Sequence, residues 1–199
     1  MPFPLDDNAR EFVRRHFKRK ALEWTEDYFI NVLETSGQKH DVYWATIALR
    51  DCGSQKCIPA LKTKLLYPMQ DVKCTALLTI AHVAGAAETE LYTNALLDPA
   101  YRDKAYAMWA IRDAADARAV DAALSYFRKN LAKIRAGKLA NGTLPEGLDY
   151  LQKFVDTQPA VAELFSEISK YWSKLAEGER KTIMERIPSY PWRPDTVKG

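Results

Sequence analysis

Residues 41–51 read DVYWATIALRD and residues 103–113 read DKAYAMWAIRD, with a looser copy of the pattern starting at Asp71. The pattern therefore returns after about thirty residues. Such a period is typical of helical hairpins, because one hairpin cannot bury its apolar face alone and must share a core with its neighbours. No segment shows the sustained alternation of a β-strand. The sequence predicts an all-α protein of about ten to eleven helices, an α-solenoid of stacked antiparallel helical hairpins.

The composition predicts one domain over residues 1–199. A chain of 199 residues that is 47% hydrophobic can bury one substantial core. Charged residues interrupt every apolar stretch before it reaches the roughly 18 residues that a membrane span needs. The three cysteines form no CxxC pair, and the N-terminus lacks the apolar run of a secretory signal. We therefore expect a cytoplasmic protein that does not enter a membrane.

Positive charge is concentrated at the N-terminus. Residues 1–20 carry a net charge of +3, and the charges of the remaining residues cancel. A solenoid that wraps a nucleic acid needs positive charge along its whole groove, because its affinity comes mainly from neutralising phosphates. The charge distribution favours another protein over a nucleic acid as the partner.

The helical patterns divide the chain into three parts. Residues 1–40 predict a capping hairpin with a basic, amphipathic first helix, residues 41–136 the repeats, and residues 144–199 further helices with a proline-rich tail. Within the repeats, Asp41, Asp71 and Asp98 are the predicted N-caps of helices. The helix from Asp98 is expected to reach about residue 115, and its partner to span roughly residues 117–136.

Residues 41–65 resemble a HEAT-like repeat of the short kind first recognised in phycobilisome lyases. The residues that carry the resemblance are Asp41, Val42, Ala45, Leu49, Gly53 and the run from Ile58 to Leu61. Residues 103–124 match the first half of the repeat well, and the resemblance covers roughly residues 41–136. The arginine expected near the start of each unit is replaced by Tyr43, Lys73 and Ala105.

The resemblance implies an α-solenoid whose second helices line an inner, concave surface, where members of such families usually bind partners. It implies no particular chemistry, because the architecture serves adaptors, lyases, hydroxylases and DNA glycosylases alike. A role in handling tetrapyrroles is one alternative that rests on the resemblance alone.

The sequence shows no arrangement typical of a metal or thiol enzyme. The three histidines, His16, His40 and His82, are too few for a di-iron or zinc cluster, and none precedes a glutamate. Cys52 lies in a predicted turn, but no histidine is placed by sequence to lower its pKa. We expect no catalytic residue, no metal and no cofactor.

Two polar patterns in the repeats have both a structural and a functional interpretation. Arg50-Asp51 and Arg112-Asp113 occupy equivalent repeat positions, where charged pairs between adjacent hairpins can satisfy helix ends and fix the register. Trp109 and Asp113 would share a helical face, and HEAT-like DNA glycosylases hold a damaged nucleotide with aromatic and acidic residues. Because Trp109 occupies the position of Ile47, we favour core packing for it.

The leading hypothesis is a non-enzymatic adaptor or toxin-neutralising (immunity) protein that binds a protein partner through its concave surface. Polar side chains on the second helices would give specificity around aromatic anchors. The predicted partner-binding residues are Lys62, Glu90, Tyr92, Asn94, Asp121, Ser125, Tyr126 and Arg128. The alternative is a nucleic-acid-binding or DNA-glycosylase-like protein. Its predicted site comprises Arg14, Lys18, Trp109 and Asp113.

Overall fold

The computed structural model describes residues 7–18, 22–139 and 142–189, and these residues are all-α, with no strand among them. The predicted fold class is confirmed for this part of the chain. The α-helices of the described residues are α1 (Asp7–Phe17), α2 (Glu26–Thr35), α3 (Lys39–Cys52), α4 (Ile58–Lys64), α5 (Gln70–Ala84), α6 (Thr89–Leu97), α7 (Lys104–Ala114), α8 (Val120–Lys129), α9 (Leu131–Arg135), α10 (Thr143–Leu151), α11 (Pro159–Lys170) and α12 (Glu177–Arg186). Only Asn130 separates α8 from α9, so the single helix predicted over residues 117–136 is interrupted there.

The helices form two compact units, residues 1–88 and residues 89–199. The boundary falls before Thr89, inside the segment that the sequence predicts as continuous repeats. The prediction of a single domain stays a prediction.

The first unit has two layers of helices. Helices α1, α3 and α5 pack side by side in a first layer, and α2 and α4 pack in a second layer. Each second-layer helix packs most closely against the first-layer helix that follows it, α2 against α3 and α4 against α5. Because α3 and α5 have neighbours on several sides, most of their residues are buried, as expected of helices that are apolar around much of their circumference.

The second unit repeats this arrangement. Helices α7, α10 and α12 form a first layer, and α6, α8 and α11 form a second. The pairing of α6 with α7 matches the pairing of α2 with α3. The helices from α10 onward therefore continue the two-layer order within this unit. The core of the unit contains fully buried residues from both layers, including Tyr92, Phe127, Leu148, Phe165 and Ile183.

A polar contact at the turn after a first-layer helix recurs in both units. After α3, Ser54 caps a short 3₁₀ turn by accepting from the backbone of Lys56, and Glu26 of α2 accepts from the backbone and hydroxyl of Ser54 at 2.7 and 2.9 Å. After α7, Asp116 is the corresponding cap, and the hydroxyl of Thr89 at the start of α6 donates to it at 2.5 Å. In each unit this contact ties the turn to the beginning of the preceding second-layer helix.

The turn after α3 also explains the glycine of the repeat pattern. A Cβ atom at Gly53 would lie 2.3 Å from the carbonyl oxygen of Leu49 and 2.9 Å from Sγ of Cys57. Contacts this short are excluded by sterics, so the close approach of the chain requires glycine there.

The predicted N-caps are wrong, although helices begin near two of them. Helix α3 starts at Lys39 and α5 at Gln70, which places Asp41 and Asp71 inside the first turn. Asp41 is 7% exposed and binds side chains of the preceding segments, His16 Nε2 at 2.7 Å and the hydroxyl of Ser36 at 3.1 Å. Its carboxylate is therefore used in packing rather than in capping.

The helix predicted from Asp98 begins six residues later. The Asp98 carboxylate accepts from the backbone of Ala100 at 2.8 Å and so stabilises a turn. The Lys104 ammonium donates to the carbonyl of Ala95 at 3.0 Å and also to that of Asp98. These contacts hold the end of α6 against the start of α7 and leave α7 to begin at Lys104.

Candidate functional site

Most of the predicted partner-binding residues lie on second-layer helices of the second unit, α6 and α8. On α8, Asp121, Ser125 and Arg128 are exposed and lie at positions i, i+4 and i+7, so they share one face of the helix. The opposite face contributes Ala123, Leu124 and Phe127 to the core. The amphipathic pattern of α8 therefore presents the three predicted polar residues to solvent.

The neighbouring helices extend this face. On α6, which packs against α8, Glu90, Asn94 and Leu97 are exposed at the same spacing. On the other side of α8, Arg128 Nη2 lies 3.8 Å from Glu163 Oε2 of α11. We call this surface, formed by the exposed side chains of α6, α8 and α11, the second-layer face. It carries both signs of charge and a large apolar side chain, Leu97, which is 47% exposed.

The two aromatic anchors predicted for this surface are wrong. Tyr92 is fully buried, and Tyr126 is only 8% exposed with its ring packed against Phe127. Burial raises the pKa of Tyr126. Both tyrosines lie on the apolar side of their helices, because an aromatic ring gains more from core packing than from exposure.

Lys62, the remaining predicted partner-binding residue, belongs to the first unit. Its ammonium lies 2.6 Å from Oε1 of Glu88, at the end of the 3₁₀ segment that follows α5. This ion pair connects α4 to that segment. That Lys62 binds a partner stays a prediction.

The basic residues predicted to contact nucleic acid lie on α1. Arg14 and Lys18 are exposed, and the guanidinium of Arg14 lies over the ring of Trp24 at 5.2 Å. Nearby, Phe12 is 53% exposed and stacks on Trp44 with ring centroids 6.2 Å apart. Arginine and aromatic side chains are thus exposed together on the first unit.

Trp109 and Asp113, the other half of that predicted site, belong to the second unit and are joined by Arg112. The Arg112 guanidinium lies 5.4 Å from the centre of the Trp109 ring and donates to Asp113 Oδ1 at 2.7 Å. The Asp113 carboxylate is thus already engaged by a cation. Trp109 is half-buried, whereas Ile47 at the equivalent repeat position is 2% exposed, so the two positions are not equally part of the core.

Arg112 also belongs to a partly buried charged cluster that the sequence pattern does not reveal. Glu146 of α10 is 8% exposed and forms an ion pair with Arg112 of α7. Its Oε1 also lies 2.7 Å from Nη1 of Arg186 on α12. Asp149 is within 4.0 Å of both arginines. Burial raises the pKa of Glu146, and the two arginines oppose that rise. These ion pairs join the three first-layer helices of the unit.

The Arg-Asp pairs do link adjacent hairpins, as predicted. Asp51 accepts from Nη2 of Arg10 on α1 at 2.6 Å, and this hydrogen bond holds the pKa of Asp51 below its usual range. In the second unit it is the arginine that reaches the neighbouring helix, since Arg112 pairs with Glu146 of α10. In the first unit the aspartate of the dipeptide contacts the neighbouring helix, and in the second unit the arginine does.

A cavity of about 410 Å³ opens beside this cluster in the second unit. We call it the α12 cavity. Its wall includes Glu146 of α10 and Glu179, Thr182 and Arg186 of α12. Burial raises the pKa of Glu179, and Oε1 of this residue is shielded from solvent with no hydrogen-bond partner in the described part of the chain.

The cysteines are poor nucleophiles in this structure. Burial raises the pKa of Cys52 to about 12 and that of Cys57 to about 11, and Cys74 is also buried. A thiol with such a pKa is protonated at neutral pH, whereas the reactive form is the thiolate. Residues 7–18, 22–139 and 142–189 contain no group of three or more side chains able to hold a metal ion.

Comparison with known protein families finds no match, and a search of curated protein sequences finds no significant relative. Within the described residues, no helix combines the length and the apolar character that crossing a membrane requires.

Proposed function

We propose that this protein is a non-enzymatic helical-repeat protein that binds a protein partner through the second-layer face, in an adaptor or toxin-neutralising role. The observation that carries the proposal is the exposure, on neighbouring helices, of polar side chains at i, i+4 and i+7. Interleaved charges with an exposed leucine suit the polar and apolar groups of a protein surface better than a uniform polyanion.

The rigidity of the surface supports the same proposal. The helices that present it are anchored in a close-packed core by Tyr92, Phe127 and Phe165, all fully buried. A preorganised surface loses little side-chain and backbone freedom on binding, so more of its contact energy appears as affinity.

The test is affinity purification from the native cell with charge-reversal variants. One variant changes the second-layer face: Glu90→Lys, Asp121→Lys and Arg128→Glu. The matched control makes the same changes of charge at exposed residues outside the face: Glu34→Lys, Asp156→Lys and Lys153→Glu. We expect a partner to be retained by the wild type and the control and lost from the face variant. Equal retention by both variants would rule out this surface.

A second candidate function is nucleic-acid binding by the first unit. The observation that favours it is the exposed set of arginine and aromatic side chains around α1, since bases stack on aromatic rings and guanidinium groups. Two of the arginines there are already paired: Arg10 with Asp51, and Arg15 with Glu11 at 2.9 Å.

Fluorescence anisotropy with labelled duplex and single-stranded DNA at two salt concentrations tests this candidate. Binding that is strong at low salt and falls steeply as salt rises would support it. The Arg14→Ala substitution should then weaken binding, while Arg180→Ala on α12 should not. No binding at low salt would remove the candidate.

A further inference from the structure

We propose that the α12 cavity binds a guanidinium or primary ammonium group carried on a short aliphatic stem, with Glu179 as the counter-charge. The site is separate from the second-layer face, because most of its wall comes from the first-layer helices α10 and α12, and the rest includes Gly137, Leu139 and Gly142. Its volume lies within the range of small-ligand sites, which is roughly 300–1,000 Å³.

The charges of the wall indicate a cation. Three charged side chains line the cavity, Glu146, Glu179 and Arg186. Arg186 is engaged by Glu146, and Arg112 behind it is engaged by Glu146 and Asp113. Each guanidinium group therefore has a carboxylate beside it, although Nη1 of Arg186 is shielded from solvent and forms no hydrogen bond with the described part of the chain. Among the described residues, no ion pair reaches the carboxylate of Glu179.

The hydrogen-bonding groups of Thr182 and Glu179 point the same way. Thr182 donates its hydroxyl proton to the carbonyl of Gly178 at 2.9 Å, so its oxygen remains available only as an acceptor. The carboxylate of Glu179 is also an acceptor. A ligand that matches two acceptors and one negative charge must supply several N–H donors and a positive charge, as ammonium and guanidinium groups do.

The apolar part of the cavity wall is the reason for proposing an aliphatic stem on the ligand. Leu139, Pro145 and Ala176 line the cavity beside these acceptors. Gly178 contributes no side chain, and a Cβ atom placed there would meet nothing within 4 Å. A chain of a few methylene groups can therefore lie against apolar side chains while its charged end reaches α12.

The experiment measures binding by isothermal titration calorimetry to the full chain. The probes are n-butylguanidinium and n-butylammonium, with neutral butyramide as the control for shape. A peptide with blocked ends and one central arginine tests whether a protein side chain is the source of the same group. We expect at least one cation to bind at a single site and butyramide not to bind.

Three variants locate the site. Glu179→Gln should weaken cation binding by about tenfold or more, the loss expected of one charge-assisted hydrogen bond. Gly178→Leu should abolish it by filling the cavity, and the matched control Glu177→Gln, an exposed residue of the same helix, should leave it unchanged. Because Glu179→Gln removes a carboxylate whose Oε1 is shielded from solvent without a hydrogen-bond partner in the described residues, it should also raise the melting temperature of the free protein.

If only the butyl cations bind, the cationic group comes from a small molecule. If only the peptide binds, it comes from a protein side chain. Both results support the proposal when Glu179→Gln weakens them. The proposal is overturned if no cation binds, if Glu179→Gln and Glu177→Gln bind equally well, or if Glu179→Gln lowers the melting temperature. Equal retention of the partner by both charge-reversal variants, together with intact cation binding, would overturn only the second-layer face.

Discussion

At the turn after α7, the side chain of one residue, Asp116, joins two segments of the second unit. Its carboxylate accepts from Arg118 Nε at 2.7 Å, from the Arg118 backbone at 3.0 Å and from Thr89 of α6, while its carbonyl accepts from the hydroxyl of Tyr150 on α10. The hydrogen bond from Arg118 is the main cause that lowers the pKa of Asp116 from 3.8 to about 2.

Replacing Asp116 tests this role. Asp116→Ala should destabilise the protein by about 1 kcal/mol at pH 7, the usual cost of losing such a cap. Asp116→Asn, which keeps an acceptor oxygen, should cost less. Because the folded pKa lies below the unfolded value, the charge stabilises the fold above about pH 4, and this contribution is lost as the pH falls through about 2. Urea denaturation should show the wild type and Asp116→Asn converging over that interval. A constant difference would contradict the assignment.

The packing of α10 depends on the absence of a side chain at Gly147. A Cβ atom there would lie 2.3 Å from Cζ of Phe127 on α8 and 3.1 Å from the sulfur of Met108 on α7. The glycine lets α10 approach both neighbours, although glycine is a poor helix former.

We expect Gly147→Ala to destabilise the protein by about 1–3 kcal/mol, because overpacking Phe127 outweighs the gain in helix propensity. The matched control is Gly178→Ala in α12, where an added Cβ meets nothing within 4 Å. It should stabilise the protein by about 0.5–1 kcal/mol. Thermal denaturation followed by circular dichroism measures both changes. Equal stabilisation by the two alanines would show that α10 has room for a side chain.

The helices could be predicted from the sequence because their apolar periodicity is local. The prediction of Asp41 as an N-cap was wrong because its carboxylate binds His16, a residue of another helix that no local pattern reveals. The charged cluster was missed for the same reason, since Arg112 and Glu146 are 34 residues apart and meet only when α7 packs against α10. In α6 and α8 the helical spacing correctly identified exposed polar residues, but it placed Tyr92 and Tyr126 on the wrong side.

The whole chain consists of two compact units, each with its own buried core. In helical-repeat proteins, stability is approximately the sum of the units and of contacts between immediate neighbours. A cavity made in one core should therefore act first on the unit that contains it. Leu61 of α4 and Leu148 of α10 are both fully buried and allow this to be tested with the same substitution in each unit.

Leu61→Ala and Leu148→Ala should each cost about 2–5 kcal/mol, the range for a buried leucine. Native-state hydrogen exchange should show that Leu61→Ala lowers amide protection mainly in α2–α5, while α10–α12 keep theirs. Leu148→Ala should give the reverse pattern, since each helix is held by neighbours in its own unit. The paired substitutions control for each other, because they remove the same atoms from equally buried positions. If both variants lowered protection evenly across the described helices, the chain would unfold as one cooperative body and the two units would not be separate units of stability.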